Sequence, residues 1–127
     1  MDKGFRSLVA WQKAYGLTLE VYKLVKRLPR HELYGLSSQI SRASMSVPAN
    51  IAEGYERGHR MEYIRFLMIA RGSLGELETY LLLAKDVRYI NVEDLEYIEA
   101  KRKEVARILN GLIRSLRTGP WTLATGP

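Results

Sequence analysis

The sequence predicts an all-α fold: an antiparallel up-down-up-down four-helix bundle with a proline-kinked second helix, and one that self-associates. Three observations carry the prediction. Four long segments repeat apolar residues at three- and four-residue spacing, the helical period. The breaks between them, around Pro29, Gly58 and Asn91, are short enough for antiparallel neighbours. No segment competes as a strand.

The first helix is expected over residues 7–28. Leu8, Trp11, Tyr15, Tyr22 and Val25 form one row with Thr18 in its gap, and Leu17, Val21, Leu24 and Leu28 form a second beside it. Pro29 ends the helix. Lys23, Lys26, Arg27 and Arg30 cluster at this end. They suit a phosphate-bearing partner, or they are solvated cations that complement the helix dipole.

The second helix, residues 36–57, carries Leu36, Ile40, Ala43, Val47, Ile51 and Gly54 in one register that runs through Pro48. Pro48 has no N–H for the Ser44 carbonyl, and an interior proline costs roughly 3 kcal/mol, so the helix must kink or stop there. The uninterrupted register favours a kink. The opposite face, Ser38, Ser41, Met45, Ala49 and Ala52, is small or apolar, which suits close approach of another helix or subunit.

The third helix, residues 60–87, has a core row of Tyr63, Leu67, Ala70, Leu74, Leu77, Leu81 and Ala84. Its other side holds Ile64, Met68, Gly72, Gly75, Thr79, Leu82 and Leu83. A helix apolar on two sides is buried on two sides, yet each helix of a four-helix bundle keeps one face to water, so self-association is expected through Met45, Ala49, Ala52, Ile64, Met68, Gly72, Gly75, Leu82 and Leu83. The fourth helix, residues 92–117, opens on an Asn91/Asp94 capping box and has a core row of Leu95, Ile98, Val105, Leu109, Leu112 and Leu116. Opposite that row, Lys103, Arg107, Asn110, Arg114 and Arg117 make a stripe without an acid. It can track a phosphate backbone or simply be a solvated face. Residues 1–117 are thus one domain, and the tail 118–127, with its two Gly-Pro breaks, is expected to be mobile.

Composition narrows the function. Without cysteine there is no disulfide, thiolate metal site or cysteine nucleophile. The N-terminus lacks a secretory pattern and no apolar run approaches the roughly 20 residues of a membrane span, so a cytoplasmic protein without membrane association is expected. A net charge of +6 suits a polyanion. Glu56-Arg57-Gly58-His59 meets the Glu-x-x-His requirement of a di-iron bundle once, but the other histidine, His31, has Leu28 three positions before it. Glu93, Glu96 and Glu99 lie near a helix start, where the dipole favours acids. We therefore expect neither enzyme activity nor a metal or cofactor. Arg42, Asn50, Glu53, Arg71 and Glu76 are expected to form a structural polar network near Pro48, and tyrosines such as Tyr55, Tyr63, Tyr80, Tyr89 and Tyr97 to serve subunit contacts or base stacking.

Three runs carry a family resemblance: Tyr34 to Ala43; Ser46-Val47-Pro48-Ala49-Asn50-Ile51-Ala52-Glu53-Gly54; and Phe66-Leu67-Met68-Ile69-Ala70-Arg71-Gly72-Ser73-Leu74-Gly75-Glu76-Leu77. The chain resembles the bacterial 23S rRNA-intervening-sequence proteins from about Phe5 to Leu116. His59 stands where that family usually has a capping serine or threonine. The resemblance implies an antiparallel four-helix bundle that forms a ring-like homopentamer. It extends more distantly to the accessory protein of diversity-generating retroelements, a basic pentamer thought to work with a reverse transcriptase and nucleic acid. The expected function is non-enzymatic nucleic-acid binding, RNA ahead of DNA and without base specificity. The alternative is a scaffold or accessory subunit for a protein partner.

Overall fold

The computed structural model of the chain describes residues 4–118, and among them there are four α-helices, two 3-10 turns and no strand. Helices α1 (Val9–Val25), α2 (Leu36–Glu56), α3 (Arg60–Asp86) and α4 (Val92–Thr118) follow 3-10 turns at Gly4–Ser7 and, between α1 and α2, at Arg30–Glu32. Helix α2 packs on α1 and α3, and α4 packs on the same two. Side-chain pairs such as Arg42/Glu76 and Ser46/Ser73 on α2 and α3, or Glu20/Tyr97 and Lys13/Glu104 on α1 and α4, rise in number on one helix as they fall on the other.

The period of each helix decides what it buries. All seven residues of the expected α3 row are at most 1% exposed, as are Ile40, Ala43, Val47 and Ile51 of α2. In α1 the second row is the core one, with Ala10 and Ala14 extending it, whereas Tyr15 and Tyr22 remain exposed and Trp11 stacks between Phe5 and Tyr15 on the flank. In α4, Ile113 is buried and Leu112 only half-buried. The expected first helix was too long at both ends. Residues 4–7 form a 3-10 turn, and the last turn tightens to Arg27 N–H→Leu24 and Leu28 N–H→Val25 carbonyl bonds. Pro29 disfavours helical geometry in Leu28, but the Leu28 side chain still reaches the core. Thr118 ends α4; the remainder of the expected mobile tail, residues 119–127, lies outside the described residues.

Helix α2 continues through Pro48, which is buried. The Ser44 carbonyl that Pro48 cannot serve accepts instead from the Thr18 hydroxyl of α1 at 2.9 Å, a proton that Thr18 shares with its own Ala14 carbonyl at 3.1 Å. A fault in one helix is thereby satisfied by its neighbour. Thr18→Val, which keeps the shape and removes the donor, is expected to cost about 1–3 kcal/mol in urea unfolding, the usual penalty for an orphaned buried carbonyl. In a Pro48→Ala background, where the backbone N–H returns, the same substitution should cost distinctly less.

Both ends of α3 differ in how they are closed. His59 makes no side-chain cap bond. At the other end Arg88 takes a left-handed φ of +69°, with Tyr89 N–H donating to the Ala84 carbonyl at 2.8 Å and Arg88 N–H to that of Lys85 at 2.9 Å, the Schellman arrangement that turns the chain toward α4. The capping box of α4 forms as expected: Asp94 N–H donates to Asn91 Oδ1 at 2.8 Å and Asn91 N–H to Asp94 Oδ2 at 3.2 Å.

The expected polar network divides into separate pairs. Arg42 meets Glu76 at 3.1 Å, but both side chains are about half exposed, so this is a surface pair. Glu53 is bonded by Arg57, the residue that caps α2, and Arg71 donates to Asn110 of α4. Asn50 joins no acid among the described residues. Its amide donates to the Ser46 carbonyl and hydroxyl, and the Ser46 and Ser73 hydroxyls, 2.8 Å apart, tie α2 to α3. The spacing that places these residues on neighbouring helices does not set the level along the bundle at which they meet.

Candidate nucleic-acid interface

The eight candidate cations fall into three groups. Lys103, Arg107, Arg114 and Arg117 are all exposed on α4, the first and last 14 positions apart, about 21 Å along the helix. No ion pair engages any of them among the described residues; Arg117 Nη2 donates to Met68 Sδ of α3 at 3.2 Å. Asn110, in the same stripe, accepts from Arg71, so the stripe lies on the α3 side of α4. Lys26 and Arg30 sit apart, in a groove between α1 and α2. Lys23 and Arg27 face α4 but are neutralised, Lys23 by Glu20 at 3.2 Å and Arg27 by a double hydrogen bond of 2.8 Å to Asp94. Sequence spacing groups these two with Lys26 and Arg30; the structure sets Lys23 and Arg27 against acidic partners that Lys26 and Arg30 lack among the described residues.

The Arg27 bond, reinforced by the Asn91 N–H, holds the Asp94 carboxyl below its ordinary pKa of 3.8. A depressed folded-state pKa means stability that is present above the ordinary value and is lost as pH falls through the lowered one. The urea midpoint difference between the wild type and Arg27→Met should therefore be constant above about pH 5 and should shrink as Asp94 protonates below that.

An arginine that periodicity alone does not single out is the most constrained cation of the bundle. Arg102 lies in the core row of α4, between Ile98 and Val105, with a side chain 10% exposed. It grips Glu99 through Nε and Nη2 and reaches Glu78 of α3 at 3.1 Å. Its pKa is raised first by the Glu99 hydrogen bond, so it stays charged. The signal in the sequence was an arginine in an apolar row with a glutamate three positions before it. The tyrosines also redistribute. Tyr55 and Tyr63 are core residues in edge-to-face contact at 5.9 Å, and burial holds the Tyr63 hydroxyl far above the ordinary tyrosine range. Tyr97 is exposed and donates to Glu20, and Tyr89 donates to Glu32.

Of the expected self-association face, Ile64 is instead 6% exposed and belongs to the chain's own core, because it turns toward the α4 side of the bundle near Leu116. Ala52 is half-buried. Met45, Ala49, Met68, Gly72, Gly75, Leu82 and Leu83 are exposed, and a Cβ built on Gly72 or Gly75 would meet nothing. No group of three or more His, Asp or Glu suited to a metal is present among the described residues, and no helix is long and apolar enough to cross a membrane.

Residues 6–111 match the family model described as 23S rRNA-intervening sequence protein. The chain belongs to this family. Among solved structures, it is similar to a protein of unknown function from the S23 ribosomal protein family of Bacteroides thetaiotaomicron, at 29% identity and a TM-score of 0.78. The match covers 84% of this chain and 99% of that one. A comparison with curated proteins finds no match. The segment Asn50-Ile51-Ala52-Glu53-Gly54, one of the runs carrying the resemblance, contains a close approach of α2 to α3: a Cβ on Gly54 would stand 2.7 Å from Phe66 Cβ.

Proposed function

We propose that this chain is a non-enzymatic, up-down-up-down four-helix bundle that assembles into a ring-like homopentamer and binds nucleic acid, RNA ahead of DNA, without base specificity. The observation that carries the reading is the α4 stripe: Lys103, Arg107, Arg114 and Arg117, exposed on one side and free of acidic partners among the described residues. Cations left unpaired over about 21 Å can each displace a counterion from a phosphate backbone, which gives affinity without sequence information. The family's name supports RNA, since it refers to a ribosomal RNA insert. The pentamer follows the family resemblance, and the exposed glycines and apolar residues of α3 are the surface it would cover.

The test is fluorescence anisotropy of a labelled structured RNA and a matched DNA duplex across a salt series, with light scattering on the same sample. The expected result is log affinity falling linearly with log salt, and a mass several times the 14.6 kDa protomer. Arg107→Glu/Arg114→Glu should weaken RNA binding and flatten the slope while the mass persists. The exposed α3 face favours a second reading, a scaffold for a protein partner, and absence of nucleic-acid binding at low salt would select it.

A further inference from the structure

Away from the α4 stripe, the C-terminal half of α1 and the N-terminal half of α2 enclose an open groove of about 790 Å³. Two features make it unlike the stripe. Its wall is aromatic and apolar: Tyr34 is 92% exposed, Leu33 57% and Tyr22 41%. Its charge is uncompensated: neither Lys26 nor Arg30 makes an ion pair among the described residues, and Arg42 is already balanced by Glu76. Glu32, the acid nearest Arg30 in sequence, is committed elsewhere. Its Oε1 accepts from the Leu36 N–H at the start of α2 and its Oε2 from the Tyr89 hydroxyl. Those bonds hold the Glu32 carboxyl below its ordinary pKa, so it stays an anion bound to α2 and Tyr89.

We propose that this groove takes unpaired bases of single-stranded nucleic acid, with Tyr34 as the stacking platform and Lys26 and Arg30 on the flanking phosphates. The inference rests on the nucleic-acid reading above and names its substrate class. A duplex hides the faces of its bases and offers a protein surface mostly phosphates, for which exposed tyrosine and leucine do nothing. A single strand offers both faces and phosphates, and stacking on an aromatic ring tolerates any base because each has a π-face. Cations beside an open ring within one concavity match that pairing, whereas the α4 stripe carries charge without an aromatic.

The experiment compares a labelled unstructured 15-nucleotide RNA with a blunt RNA hairpin, using the full chain, Tyr34→Ala, Tyr34→Phe and Lys26→Ala. Tyr34 is nearly free of the fold, so its substitution leaves the bundle intact, which circular dichroism verifies. Tyr34→Ala is expected to weaken single-strand binding roughly tenfold or more, with hairpin affinity unchanged within about twofold and salt slope preserved, because stacking releases no ions. Tyr34→Phe should retain binding, and Lys26→Ala should reduce the single-strand salt slope by about 0.7. Equal effects of Tyr34→Ala on both RNAs, or none on either, overturn the groove but leave the general nucleic-acid reading standing. A fall in light-scattering mass for Tyr34→Ala assigns the groove to a second copy of the chain and also overturns it. No binding of either RNA by the wild type overturns both readings.

Discussion

Replacing Arg102 with methionine is expected to lower the unfolding free energy by about 2–4 kcal/mol, near the cost of breaking a largely buried ion pair from one side. Methionine fills much of the arginine stem's volume, so the loss does not come from a cavity. It comes from Glu99, whose side chain is 15% exposed and is left without the guanidinium that satisfied both its oxygens. Glu78, 42% exposed, returns to water at little cost, so most of the effect belongs to Glu99. Urea unfolding of Arg102→Met and of Arg102→Met/Glu99→Gln separates the two contributions: neutralising the stranded acid should recover a large part of the loss. A midpoint within experimental error of the wild type for Arg102→Met alone would show that the stability of the bundle does not depend on this pair.

Replacing Gly54 with alanine is expected to destabilise the chain by about 1–3 kcal/mol, although alanine is the better helix former by about 1 kcal/mol. The new methyl would stand 2.7 Å from Phe66 Cβ and 3.3 Å from the Tyr63 carbonyl oxygen. Neither can swing aside, because a Cβ and a carbonyl move only with the backbone of α3. The helices must separate, and the packing they lose exceeds the propensity gained. Gly72→Ala is the control. Its methyl meets nothing within 4 Å among the described residues, so it should raise protomer stability by up to about 1 kcal/mol. Should light scattering show the Gly72→Ala assembly dissociating at concentrations where the wild type holds together, the open space beside Gly72 is filled by another copy. Thermal unfolding of the two variants in opposite directions is the outcome that fits these contacts.

Much of the fold was legible because burial in a long helix follows the helix's own geometry. The α3 row needed only the 3.6-residue period, and each of its seven members proved fully buried. The same rule read the α2 register through Pro48 and placed Gly54 in it. It could not tell which of two adjacent rows on α1 faces the core, because both satisfy the period and only the position of α2 and α4 chooses between them. Ile64 failed for the same reason: apolar on the second side of α3, it was within reach of the chain's own fourth helix.

The candidate site was less legible, because the state of a charge depends on what stands opposite it. The run of cations from Lys23 to Arg30 is continuous in sequence, yet Arg27 is neutralised by an acid 67 residues away, while Arg30, three positions on, is left unpaired among the described residues. The sequence by itself determined the four helices, the core rows of α2 and α3, the capping box of α4 and the exposed stripe from Lys103 to Arg117. Each follows from a periodicity or spacing confined to one helix. Only the tertiary structure decided which cations remain unpaired, that Thr18 serves the carbonyl Pro48 leaves open, and that Tyr34 lines one groove with Lys26 and Arg30. Each of these requires two segments to meet at a particular level, and helical periodicity specifies which face a residue presents, not what it faces.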